Sequence, residues 1–203
     1  VTARDATSGD VANSTASSLN TAVVAERLAS RGGGYVFNVN RSFFYFDTSG
    51  ISSPIDSATF KVYGKTYGTG DIIAVKATAG IFSLGTTDFD AIVGWDGTSA
   101  DGSGGGDNLG NVTAYSSEIA TWSTSGYNDI TLNSDALTDM ENDNTLYVCL
   151  INHDNDLRDI APTSFTSHRV GLYYTNNTGT SKDPYIDYTL ATADNAIFFG
   201  TNF

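Results

Sequence analysis

Strong helix formers are scarce in this chain of 203 residues: of its 23 acidic side chains only three are Glu (Glu26, Glu118 and Glu141), and methionine occurs once. That shortage counts against an architecture built on helices. Cysteine also occurs once, so stability does not rest on disulfides. Cys149 lies within "LYVCLI", apolar on both sides, and reads as a buried, inert thiol. Basic residues number 10, leaving a formal charge of -13. A chain so acidic lacks the basic face that phosphate backbones and anionic lipid require, which argues against nucleic-acid and membrane partners. No apolar run approaches the roughly 20 residues needed to cross a bilayer. The opening "VTARDATSGD" has no signal-peptide apolar segment, so we expect any such segment to have been removed or never present.

What is abundant is Asp, Asn, Ser, Thr and Gly, together with 24 aromatics that are nearly all Tyr and Phe. These belong to strands joined by polar turns. The length suits a single domain. Residues 1–18 read as a flexible arm, residues 19–190 as one sandwich and residues 191–203 as an aromatic tail. "LNTAVVAERLAS" could be helical, but Thr21, Val23 and Val24 are β-branched and the triple glycine Gly32 to Gly34 suits a hairpin, so a strand is expected. "YVFNVNRSFFYFDTSG" alternates with period two, and so do "IDSATFKVYGKTYG", "DIIAVKATAG", "YNDITLN", "NTLYVCLINHD", "HRVGLYYTNN" and "DPYIDYTLA". About eight to ten short strands follow, in a sandwich or barrel. The tract from Leu84 to Asn111 is glycine-rich and acidic, and is expected to be a flexible excursion at one end. "NSDALTDMEN" predicts a short helix that plugs an edge, with Ser134 as the plausible cap.

At "NRSFFYFDTSGISSPIDSATFKVYG" the chain resembles the DNRLRE-type β-sandwich domains, through Arg41, Phe46, Asp47, Ser57 and Ala58. The ending "DPYIDYTL" is similar to that family's closing strand through Pro184, Tyr185, Ile186, Asp187 and Tyr188. The resemblance covers residues from about 35 to 190, and the naming motif is represented only by "DNDLRD", Asp154 to Asp159. "FDTSGI" and "NDITLNSDAL" look most like structural proteins of tailed bacteriophages and related viruses; other members occur in secreted or surface-anchored chains. The resemblance implies a jelly-roll-like sandwich of two antiparallel sheets without enzymatic activity, related to carbohydrate-binding modules.

Arg41 and Asp47, bracketing one strand, are expected to pair and lock two loops, with Asp47 also bonding its own turn. Only His153 and His168 could act as histidine bases, and no G-x-S-x-G elbow occurs, so a serine hydrolase is disfavoured. A glycosidase pair could always be found among so many aspartates, so the count carries no signal. Zinc at His153 and His168 with Asp154, Asp156 and Asp159 lacks paired ligand spacing. Calcium fits oxygen donors in Gly-rich turns better, with Asp96, Asp101 and Asp107 in one loop and Asp154 and Asp156 in another; solvated turns are the plainer alternative. A glycan platform would use exposed rings, for which Trp95, Tyr67 and Tyr127 are candidates against simple packing. In the tail, Ile197, Phe198, Phe199 and Phe203 are candidate assembly contacts. The expectation is a non-enzymatic structural protein of a virion or other extracellular assembly, partnered by itself or other assembly proteins. The alternative is a carbohydrate-binding or adhesion module of a secreted protein.

Overall fold

A computed structural model describes residues 3–81, 83–95, 110–163 and 167–192, and the statements below concern those residues. Nine strands run in chain order: β1 (Ser18–Ala29), β2 (Tyr35–Asn40), β3 (Ser42–Asp47), β4 (Ile55–Gly68), β5 (Ile72–Lys76), β6 (Tyr127–Thr131), β7 (Thr145–Asn152), β8 (Ser167–Tyr173) and β9 (Tyr185–Leu190). One α-helix, α1 (Ser134–Asn142), joins β6 to β7. The strands form two antiparallel sheets. The larger has the order β2-β1-β8-β4-β6, with β9 also paired to β4; the smaller is β3-β7-β5. This is the all-β sandwich that period-two alternation implies.

β-branching prevails over helix in β1, which turns into β2 where Ser30 N–H donates to Gly34 O at 2.9 Å and Gly33 takes φ 86°. The expected single strand through "YVFNVNRSFFYFD" is two. The chain leaves the larger sheet after Asn40 and enters the smaller at Ser42, and Arg41 at the break turns its side chain inward. In α1 the cap is Asn133 rather than Ser134: its Oδ1 accepts from the Asp135 and Ala136 N–H groups at 3.1 Å each. Ala136 and Met140 then enter the core, as a plugging helix should.

The core lies between the sheets. Phe60 on β4 is fully buried, with the Phe44 and Phe46 rings of β3 each 5.2 Å away, edge-on. Val62, Ile130, Val148 and Leu172 surround them. Trp122 is in this core, its indole N–H donating to Gly171 O. The smaller sheet is buried on its other face too, because Ile73, Val75, Cys149 and Ile151 pack against Ile92, Val112 and Leu157. Those partners correct the view of the excursion as unpacked: Ile92 within it is 3% exposed. The residues from Asp96 to Leu109 lie outside those described.

Truncating Phe60 to Ala is expected to cost about 3–5 kcal/mol and Ile92→Ala about 2–5 kcal/mol in urea unfolding, if the excursion is as packed as the core. A near-neutral Ile92→Ala would return the excursion to the status of a loose loop.

Candidate functional site

"NHDNDLRD" leaves β7 as a π-helical turn, His153–Leu157, that sends alternate carboxylates to different surroundings. Asp156 points inward and is fully buried. Its Oδ2 accepts from Arg41 Nε at 2.8 Å and its Oδ1 from Arg41 Nη2 at 2.7 Å, a two-pronged pair with neither side chain exposed. The remaining Arg41 donors reach Phe89 O and Arg4 O, and the guanidinium carbon lies 4.1 Å from the centroids of both Phe89 and Trp95. Arg4, 1% exposed, donates to Asp156 O and Leu157 O and lies over the same Trp95 ring. The segment expected to be a loose arm is therefore anchored at its fourth residue.

This arrangement corrects three expectations. Arg41 pairs with Asp156, not Asp47, because it is drawn into the sandwich while Asp47 stays at the surface. Asp47 does bond its own turn: its carboxylate accepts from Ser49 Oγ and N–H, and these bonds hold its carboxyl below the usual range. Asp156 is not open to calcium, since its oxygens are taken by a buried guanidinium. Trp95 is no free platform, since two arginines cover it. Asp96, Asp101 and Asp107, like Ile197, Phe198, Phe199 and Phe203, lie outside the described residues. Asp154 stays near the surface, accepting from Arg158 Nη1 at 2.9 Å.

The other proposed platform rings are separated as well. Tyr67 sits beside Arg169 at one corner, whereas Tyr127 belongs to a row of tyrosines on the outer face of the larger sheet. Tyr63 meets Tyr127 at 5.2 Å and Tyr173 at 5.7 Å, and Tyr127 meets Tyr185 at 5.3 Å, all edge-to-face. Lys182 lies 4.3 Å over Tyr173 and 5.2 Å over Tyr63. Each of the four strands β4, β6, β8 and β9 contributes one tyrosine to the row, and the pairing registers bring them together.

A second charged cluster gathers three remote segments. Gly70 and Asp71, just before β5, both adopt left-handed backbone, with φ 74° and 62°. The Asp71 carbonyl accepts the His153 N–H at 2.9 Å, and its carboxylate accepts from Asn152 Nδ2 at 2.9 Å and Asp154 N–H at 3.2 Å. Ile72 bridges Ile119 by paired backbone bonds, which brings Glu118 alongside. Burial pushes the Asp71 carboxyl above its usual range, opposed by the Asn152 amide and reinforced by the Asp154 charge. Sequence spacing could not reveal this site, because Asp71, Glu118 and His153 come from three turns.

β2 and β3 are the terminal strands of their sheets, and between them lies a cavity of about 850 Å³ lined by Leu19, Phe37, Val39, Phe44 and Phe46, with residues 8–14 across it. Tyr35 and Val36 on β2 are about half exposed.

No protein-family model and no curated protein matches the chain. The functional reading therefore rests on this geometry and on the resemblance described above.

Asp156→Asn, which leaves Arg41 buried without its counter-charge, is expected to cost about 3–5 kcal/mol in chemical denaturation. Asp47→Asn, which keeps the turn bond, should shift stability by no more than about 0.5 kcal/mol. The reverse ranking would restore the Arg41–Asp47 pair.

Proposed function

We propose that the chain is a non-enzymatic interaction module that works within an assembly and docks through the cavity between β2 and β3. The observation that supports this reading is the coincidence of two terminal strands with a cavity between them whose lining includes Leu19, Phe37, Val39, Phe44 and Phe46. Strand edges carry ladder groups able to pair with an added strand, and monomeric proteins generally blunt or cover them. The occupant we assign is the tail of a neighbouring copy, with Ile197, Phe198, Phe199 and Phe203 supplying the apolar side chains and an added strand the backbone bonds. Burying each such side chain is worth roughly 1.5–3 kcal/mol, enough in sum to hold copies together. The virion or extracellular setting comes from the resemblance alone.

Copies bearing a charge of -13 repel, and salt screens that repulsion while leaving apolar burial intact. Sedimentation velocity should thus show larger assemblies as ionic strength rises. Deleting residues 196–203 should abolish assembly while leaving the monomer's melting temperature nearly unchanged. A full-length chain that stays monomeric at high concentration, or a deletion that strongly destabilises the monomer, would overturn the proposal.

The tyrosine row supports a second reading, glycan binding, since exposed ring faces can stack on sugars. Lys182 would have to swing off Tyr63 and Tyr173 to free those faces. A glycan array should then show hits that Tyr185→Ala removes without loss of stability; an array without hits removes the support for this reading.

A further inference from the structure

The chain has two histidines, and both converge on Asp71. His153 Nδ1 lies 3.9 Å from Asp71 Oδ1, 3.6 Å from Glu118 Oε2 and 3.0 Å from Asp154 Oδ1. His168 Nδ1 lies 3.5 Å from Asp71 Oδ2. The His153 side chain is 9% exposed, and its Nδ1 is buried without a hydrogen bond, because the nearby Asp154 oxygen is not aligned to make one. A buried ring nitrogen aimed among three carboxylates and bonded to none of them is costly unless something else satisfies it.

We propose that Asp71, Glu118 and His153 hold a divalent transition-metal ion of the zinc type, with Asp154 beside it as a further oxygen donor and His168 steadying Asp71 from behind. One oxygen from each of Asp71 and Glu118 and one nitrogen of His153 lie within 4.8 Å of one another. Tetrahedral zinc at its usual bond lengths separates such donors by about 3.3 Å, close to the 3.6 Å and 3.9 Å from His153 Nδ1 to Glu118 and Asp71, and the three donors would draw together around the ion. The nitrogen donor selects this class of ion over calcium, which prefers oxygen alone. The backbone around the ligands is already held: Asp71 is bonded to the β7 exit, and Ile72 to Ile119. Glu118 is 41% exposed, which gives the ion a solvent entry. Bound there, the ion clips together the turn before β5, the segment at Glu118 and the exit of β7, and adds its binding free energy to the fold. This inference is independent of the docking proposal.

The test is titration of chelator-treated full-length protein with ZnCl₂, followed by calorimetry and by ¹⁵N–¹H spectra of the two imidazoles. The expected result is a single ion per chain, a raised melting temperature, and a shift of the His153 ring signals. Glu118→Gln, at a site open to solvent, should weaken binding at least about tenfold, and His153→Gln at least as much. Excess Ca²⁺ should not compete. No uptake by the native chain, uptake unchanged in both variants, or displacement of Zn²⁺ by Ca²⁺ would each overturn the assignment. Since Glu118 is not part of the core, a folded Glu118→Gln protein keeps the test decisive even if His153→Gln fails to fold.

Discussion

A guanidinium and a carboxylate sealed from water must satisfy one another, and the pair between Arg41 and Asp156 sets that condition for this sandwich. Everything around it serves the same end. The sheet change between β2 and β3 brings Arg41 inward, the π-helical turn after β7 brings Asp156 to meet it, the excursion supplies Phe89 O and the Trp95 ring, and the N-terminal segment supplies Arg4. Such a pair adds little net stability compared with well-packed apolar residues, but removing one partner leaves an uncompensated charge. Its effect is to admit one mutual placement of four segments.

The smaller sheet owes its position to that placement. Three strands alone would be a weak layer, yet β5 and β7 are buried on both faces, by the larger sheet on one side and by Ile92, Val112 and Leu157 on the other. That explains why β7 carries the continuous apolar run "LYVCLI" where alternation was expected, while β4 and β6 of the larger sheet do alternate. On the outer face of the larger sheet around β4, β6 and β9, the tyrosines pack on each other with Lys182 over them.

What could be read in advance was local. Period-two alternation marked the strands, the triple glycine the first hairpin, the burst of Ala136, Leu137 and Met140 the helix, and Asp47 its own turn. The sheet change did leave a trace: alternation stops at Asn40, Arg41 and Ser42, three polar residues in a row, and four aromatics follow, a break that a single alternating strand passes over. The partner of Arg41 stands 115 positions away, beyond any spacing argument. Trp95 beside a glycine-rich tract looked exposed because its two arginine neighbours come from residues 4 and 41. The histidine–carboxylate cluster failed to show for the same reason: each ligand belongs to a different turn, and only backbone bonds between the turns unite them.

The ladder order has a consequence for a chain emerging from the ribosome. In the smaller sheet β7 is the middle strand, and β3 and β5 touch only through it. β1 likewise waits for β8, and β4 for β9. Apart from the β1–β2 hairpin, whose strands pair with each other, the early strands thus leave the exit tunnel before their partners exist, and the sandwich cannot close piecemeal from its N-terminal end. Arg41 keeps its water until Asp156 has been synthesised, so loss of that water marks the moment at which both sheets take their final relation to each other.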